Sequence, residues 1–199
     1  MADDLPELLL PDADAWRVWL TEHHADPTGV WLVLHKKGGD VTTLTYVEAV
    51  EEALCFGWID GQGRRRDEHS SFQRMTPRRA RSPWSAVNVA RAERLEREGR
   101  MHDAGRAQVA AAQADGRWQA AYPGPATIEV PDDLTAALAA VPAARAWFDA
   151  LTSGNRYAVL SRISQAKRPD TRARRIAGFV ADLAEGRTPY PQKRRPDTP

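Results

Sequence analysis

The sequence predicts an α+β protein: a small antiparallel sheet flanked by helices, followed by a helical C-terminal segment. Three observations predict it. The run Gly29, Val30, Trp31, Leu32, Val33, Leu34, His35 is β-rich and ends at the turn residues Lys36, Lys37, Gly38 and Gly39. Two further short runs, 58–66 and 71–76, lie either side of Asp67, Glu68 and His69, the pattern of two strands joined by a turn. Beyond 131, apolar residues recur at helical spacing with no β-rich run among them.

The elements follow in order. After Pro11 and Asp12, a helix start, Ala15, Trp16, Trp19 and Leu20 recur on one face, and the helix should stop before Pro27. Thr45 and Glu48 form a capping box, in which each side chain satisfies a backbone N–H at the other's end of the first turn. Gly57 is placed to end that helix. Ser82 followed by Pro83 reads as the start of another helix, running to Gly99. The alanine-rich stretch 103–115 is helical by propensity, with Trp118 anchoring its end. Tyr122, Pro123, Gly124 and Pro125 then break the periodicity. Four helices follow, marked by Leu134 and Leu138, by Trp147 and Phe148, by Val159 and Ile163, and by Ile176 and Val180. The expected organisation is an α+β domain over 1–120, a linker over 121–131, a helical segment over 132–187 and a disordered, Pro- and charge-rich tail over 188–199.

Composition narrows the function classes. Net charge is only +1, which argues against broad non-specific nucleic-acid binding; residues 1–60 are rich in Asp and Glu, whereas 61–106 carry most of the central arginines. One cysteine, Cys55, excludes an internal disulfide. The N-terminus lacks the pattern of a signal peptide and no run is long enough to span a bilayer, so a cytoplasmic protein with no membrane insertion is expected. The five histidines lack ligand spacing, and there is neither a phosphate-binding glycine loop nor a Gly-x-Ser-x-Gly elbow. No metal and no cofactor are expected.

The candidate site gathers around the middle of the chain. Glu48, Glu51, Glu52 and Cys55 share one helix side, although Glu48 is engaged by the capping box and Cys55 lies near a helix C-terminus, where a thiolate is disfavoured. Arg64, Arg65, Arg74, Arg78 and Arg79 are interleaved with Phe72 and Trp84, and arginine forks bind carboxylate and phosphate in a bidentate manner. These arginines also read as a solvated loop balancing the acidic half. If sheet and helices pack together, Glu48, Trp58, Asp60, Arg78, Trp84 and Asn88 converge on a pocket, with Cys55 as a further ligand contact. The anion sites would then be Arg64, Arg65, Arg74 and Arg79. The partner is expected to be an anionic small molecule or an acidic protein surface. Two alternatives stand beside it: an enzyme with Glu48 or Asp60 as general base, and a nucleic-acid binder in which the arginine loop works with Phe72 or Trp84 stacking on bases.

Several motifs resemble the bacteriocin-protection, YdeI/OmpD-associated family. They are Gly29 to Val33 with Lys36 and Lys37; Tyr46, Glu48, Ala49, Val50, Glu52 to Asp60; Thr76, Pro77, Arg78; Ser82, Trp84, Ser85, Asn88; Leu95, Gly99, Met101; and Ala166 to Pro169 with Thr171, Arg172, Arg175 and Ile176. The resemblance runs from about Trp16 to Gly186. It implies a stress-response or bacteriocin-protection role and prescribes no chemistry.

Overall fold

The computed structural model describes residues 5–196. The chain divides into two compact units, Met1–Tyr122 and Pro123–Pro199.

The first unit is α+β. Its sheet holds β1 (Glu7–Leu8), β2 (Val30–His35), β3 (Trp58–Arg65) and β4 (Ser70–Pro77) in the order β1-β2-β4-β3. The pairs β2/β4 and β4/β3 are antiparallel as predicted, whereas β1 adds a parallel edge strand too short to be read from sequence. Between β3 and β4, the Asp67 carboxylate accepts from the backbone N–H groups of His69 and Ser70, closing the turn. Register shifts between Asp60, opposite Met75, and Gly63, opposite Gln73, so β3 carries one extra residue. Such a bulge bends a strand and re-aims its side chains.

Four helices complete the unit: α1 (Ala13–His23), α2 (Tyr46–Cys55), α3 (Ala86–Arg97) and α4 (Asp103–Ala114). The capping box is present at α2, with Thr45 Oγ1 accepting from Glu48 N and Glu48 Oε2 from Thr45 N. Gly57 follows with φ of 77°, a conformation that favours glycine. The start of α3 differs from expectation. Ser85, not Ser82, is its N-cap, because the residues before it are claimed by other partners. Ser82 Oγ accepts from Arg79 N, Pro83 O from Arg78 and Trp84 O from Tyr122 N, which holds 82–84 outside the helix.

Val30, Leu32, Leu34, Trp58 and Met75 from the sheet meet Trp16, Leu20, Ala49, Val50, Ala53 and Leu54 in one core. Trp58 is fully buried, edge-on to Trp16 and Trp19, and its Nε1 donates to His24 O at 2.9 Å. At Gly105 a Cβ would stand 2.2 Å from Cys55 O, so α4 reaches the end of α2 only because that position has no side chain.

The second unit is helical: α5 (Asp132–Ala139), α6 (Pro142–Asp149), α7 (Ser153–Ser164) and α8 (Pro169–Ala184). Leu134, Leu138, Phe148, Val159, Ile163, Ile176 and Leu183 form its core, with α8 touching the other three helices. Past Gly186, where the sequence predicts disorder, Tyr190 and Gln192 serve buried Asn155. Tyr190 N donates to its Oδ1 at 2.7 Å, and its Nδ2 donates to Tyr190 O and Gln192 Oε1. A buried amide needs partners, and the tail supplies them. Residues 197–199 lie outside the described range.

Candidate functional site

Arg78 follows β4 directly, anchored by its own N–H to Gly57 O at 3.0 Å. Its side chain turns inward and is only 6% exposed. The guanidinium carbon sits 3.7 Å from the Trp84 ring centroid, a cation–π stack, and Nη1 donates to Pro83 O at 3.2 Å. The other edge, Nε and Nη2, is closed to solvent and finds no acceptor among the described residues; the same holds for Trp84 Nε1. Burial, opposed by Tyr122 and Asp60 and slightly aided by Arg117, leaves the Arg78 pKa lowered to about 10. At neutral pH the group is still a cation, and no carboxylate forms an ion pair with it among the described residues.

Asp60 on β3 and Tyr122 lie near enough to act on this cation electrostatically; Tyr46, at the first turn of α2, joins through Asp60, and Asn88 and Arg91 pair with each other on α3. The Tyr46 hydroxyl donates to Asp60 Oδ2 at 2.7 Å, and Arg91 Nη1 donates to Asn88 Oδ1 at 3.0 Å. Burial, then the bond to Asp60, raises the Tyr46 pKa, so this phenol remains a donor. Tyr122 pairs in parallel with Ser85, which ties it beside Trp84. Sequence reasoning omitted Tyr46, Arg91 and Tyr122 from the site. Tyr46 carries a signal in hindsight: as the residue after an N-cap it begins a helix whose other end leads into β3.

Of the sequence-predicted residues, Arg78 and Trp84 are in contact and Asp60 acts on Arg78 electrostatically; Asn88 is bonded to Ser85 and Arg91, and the remaining candidates lie elsewhere. Trp58 is core, as described above. Glu48 is exposed and held by Thr45, whose hydroxyl and backbone N–H lower its pKa. That stabilised carboxylate is poorly matched to a general base. Cys55 is fully buried, and burial followed by the charge of Glu52 raises its thiol pKa, against the pull of Arg17 and Arg100. Neighbouring Glu52, 5% exposed, accepts from Arg17 Nη1 at 2.6 Å and Arg100 Nη2 at 2.5 Å, while Glu51 pairs with Arg94. The acidic side of α2 is an ion-paired joint to α1 and α3 and to Arg100 just beyond it.

The other arginines divide. Arg65 and Arg79 are exposed. Arg64 lies 4.1 Å over the Trp31 ring and 4.8 Å over Phe72, with Arg66 over Phe72 as well. Arg74 stands opposite Trp31 in the register, and its Nε is buried without an acceptor. The aromatic faces that a base would stack on are thus covered by the protein's own guanidinium groups. An open basic cleft of about 460 Å³ adjoins this face, bordered by His35, Lys36, Tyr46, Arg64 and Arg65. A more apolar groove of about 410 Å³ between α3 and α4 holds none of the sequence-predicted residues. Among the described residues there is no group of three or more His, Cys, Asp or Glu able to hold a metal ion, and no helix is long and apolar enough to cross a membrane.

Comparison with protein families divides the chain much as its contacts do. Residues 8–108 match a domain of unknown function, DUF8412, and residues 127–186 match the family described as Bacteriocin-protection, YdeI or OmpD-Associated. The stretch 44–61, central to the resemblance, falls in the first match, so the YdeI/OmpD likeness is carried by the C-terminal motifs around Ala166 to Ile176. No curated protein and no solved structure matches. The second match lies within the helical unit, and the first covers just over half of the sequence: the chain belongs to the DUF8412 family.

Proposed function

We propose that the protein binds a compact oxyanion, a carboxylate or phosphate, at Arg78, and that this binding serves a protective role in the cytoplasm. The observation that carries the reading is the uncommitted Nε/Nη2 edge of Arg78. Those two N–H groups form the side-on fork that holds two oxygens at once, and a buried guanidinium without acceptors is costly unless something else supplies them. Trp84 Nε1 offers a third donor beside it, while Asp60, Tyr46 and Asn88 shape the surroundings. Enclosure favours a small molecule over a flat acidic protein surface. Because the fork is closed to solvent, the chain around it must shift to admit a ligand.

The test is thermal unfolding of the intact protein titrated with acetate, citrate, phosphate and sulfate. A bound anion at about 100 times its Kd adds roughly 2.7 kcal/mol of stability. Arg78→Lys, which keeps the charge and removes the fork, should lose the response. Equal responses from both proteins, or none from either, would defeat the reading.

A further inference from the structure

We infer that the bound oxyanion is one half of a zwitterion, an amino-acid-like molecule whose carboxylate takes the Arg78 fork and whose ammonium is held at Asp60 between Tyr46 and Tyr122. This rests on the oxyanion reading above and adds the ligand's second charge.

Arg78 and Asp60 are opposite charges in one locality, close enough to act on each other electrostatically, and yet they form no salt bridge. Four other carboxylates of this unit, Glu51, Glu52, Glu98 and Asp115, each pair with an arginine. Asp60 accepts only the Tyr46 hydroxyl, through Oδ2, and enters no ion pair among the described residues. The sheet explains why the pair stays open: Asp60 is set opposite Met75, whereas Arg78 lies three residues further along β4's path and is pinned by its backbone to Gly57 and by its Nη1 to Pro83.

Nearby cations are spoken for. Arg91 donates to Asn88, and Arg117 is held by Asp115 and Ser82 O. What touches Asp60 is aromatic: Tyr46, bonded to it, is 44% exposed, and Tyr122, 39% exposed, lies near enough to Tyr46 and Arg78 to act on both. Ring faces next to a carboxylate suit an ammonium group, which gains from both the charge and the π-systems. Asp60 is partly exposed while the fork is closed, so the ammonium lies toward the rim and the carboxylate toward the interior.

The experiment is calorimetric titration of the full chain with glycine, β-alanine, 4-aminobutyrate and the standard amino acids, each beside the acid lacking its amino group (acetate for glycine, propionate for β-alanine, butyrate for 4-aminobutyrate). At least one amino acid should bind about tenfold or more tightly than its counterpart, the size of a hydrogen bond to a charged group. Asp60→Asn should erase that advantage and leave carboxylate binding in place, with its unliganded unfolding transition confirming the fold. If carboxylic acids bind and no amino acid does better, the zwitterion inference falls and the oxyanion reading survives. An advantage that persists in Asp60→Asn overturns the role of Asp60. If neither class binds, both readings fall.

Discussion

The Arg78 guanidinium lies 3.7 Å from the centroid of the Trp84 ring, with one edge bonded to Pro83 O and the other bonded to nothing among the described residues. A stack of this kind partly offsets the loss of water around the cation, and the free edge leaves part of that loss uncompensated.

Arg78→Met should therefore be neutral or stabilising by about 1–3 kcal/mol at pH 7, as happens when a buried charge is replaced by an apolar group of similar volume. The sign follows from the lowered pKa: the unfolded chain keeps its proton to higher pH, so the penalty stands in full below pH 10 and fades above it. Urea unfolding at pH 7 and pH 10.5 checks both parts. A marked loss of stability at pH 7 would show that the stack outweighs the desolvation.

Thr45→Ala should cost about 1 kcal/mol through loss of the α2 cap. Glu48 has a lowered folded pKa, so its contribution is present above the ordinary glutamate range and disappears as pH falls through the folded value. In Glu48→Gln the acid side of the stability profile should be shallower than in the parent protein, measured by thermal unfolding between pH 3 and 7.

Removing the partners of Glu52 leaves a buried carboxylate without compensation. Arg17→Ala combined with Arg100→Ala should destabilise by about 3 kcal/mol or more, whereas Glu52→Gln, which leaves only half-exposed arginines behind, should cost less. Chemical denaturation of the three variants ranks them; the reverse order would refute the account.

Cys55 is fully buried with a raised thiol pKa, so a thiol reagent should modify it only as fast as the unit opens. Labelling under native conditions should be slower by orders of magnitude than in denaturant. Gly105→Ala, which forces a Cβ against Cys55 O, should destabilise by about 2 kcal/mol and speed that labelling.

Local chemistry was the legible part. Thr45 and Glu48 announce a helix start within four residues, Gly57 its end, and Asp67 to Ser70 a turn, because each of these signals acts on backbone groups in its own neighbourhood. The start of α3 misled for the complementary reason: Ser82 and Pro83 have the right chemistry, but Arg78, Arg79 and Tyr122 take the groups that would have begun the helix. In the site, Trp58 and Asp60 are two residues apart on one strand, yet one enters the core and the other bonds Tyr46, fourteen residues away in sequence.

Composition, periodicity and capping thus determined by themselves that the chain is α+β, where most of its helices and strands lie, and which arginines and aromatics deserved scrutiny. Only the tertiary structure decided which arginine is buried and what each carboxylate pairs with. Glu52 meets Arg17 and Arg100 across 35 and 48 residues, and Arg78 is singled out from its neighbours because β4 ends beside the loop carrying Trp84. A guanidinium reads the same in sequence whether solvent or an indole covers it; desolvation is set by what the fold places on top.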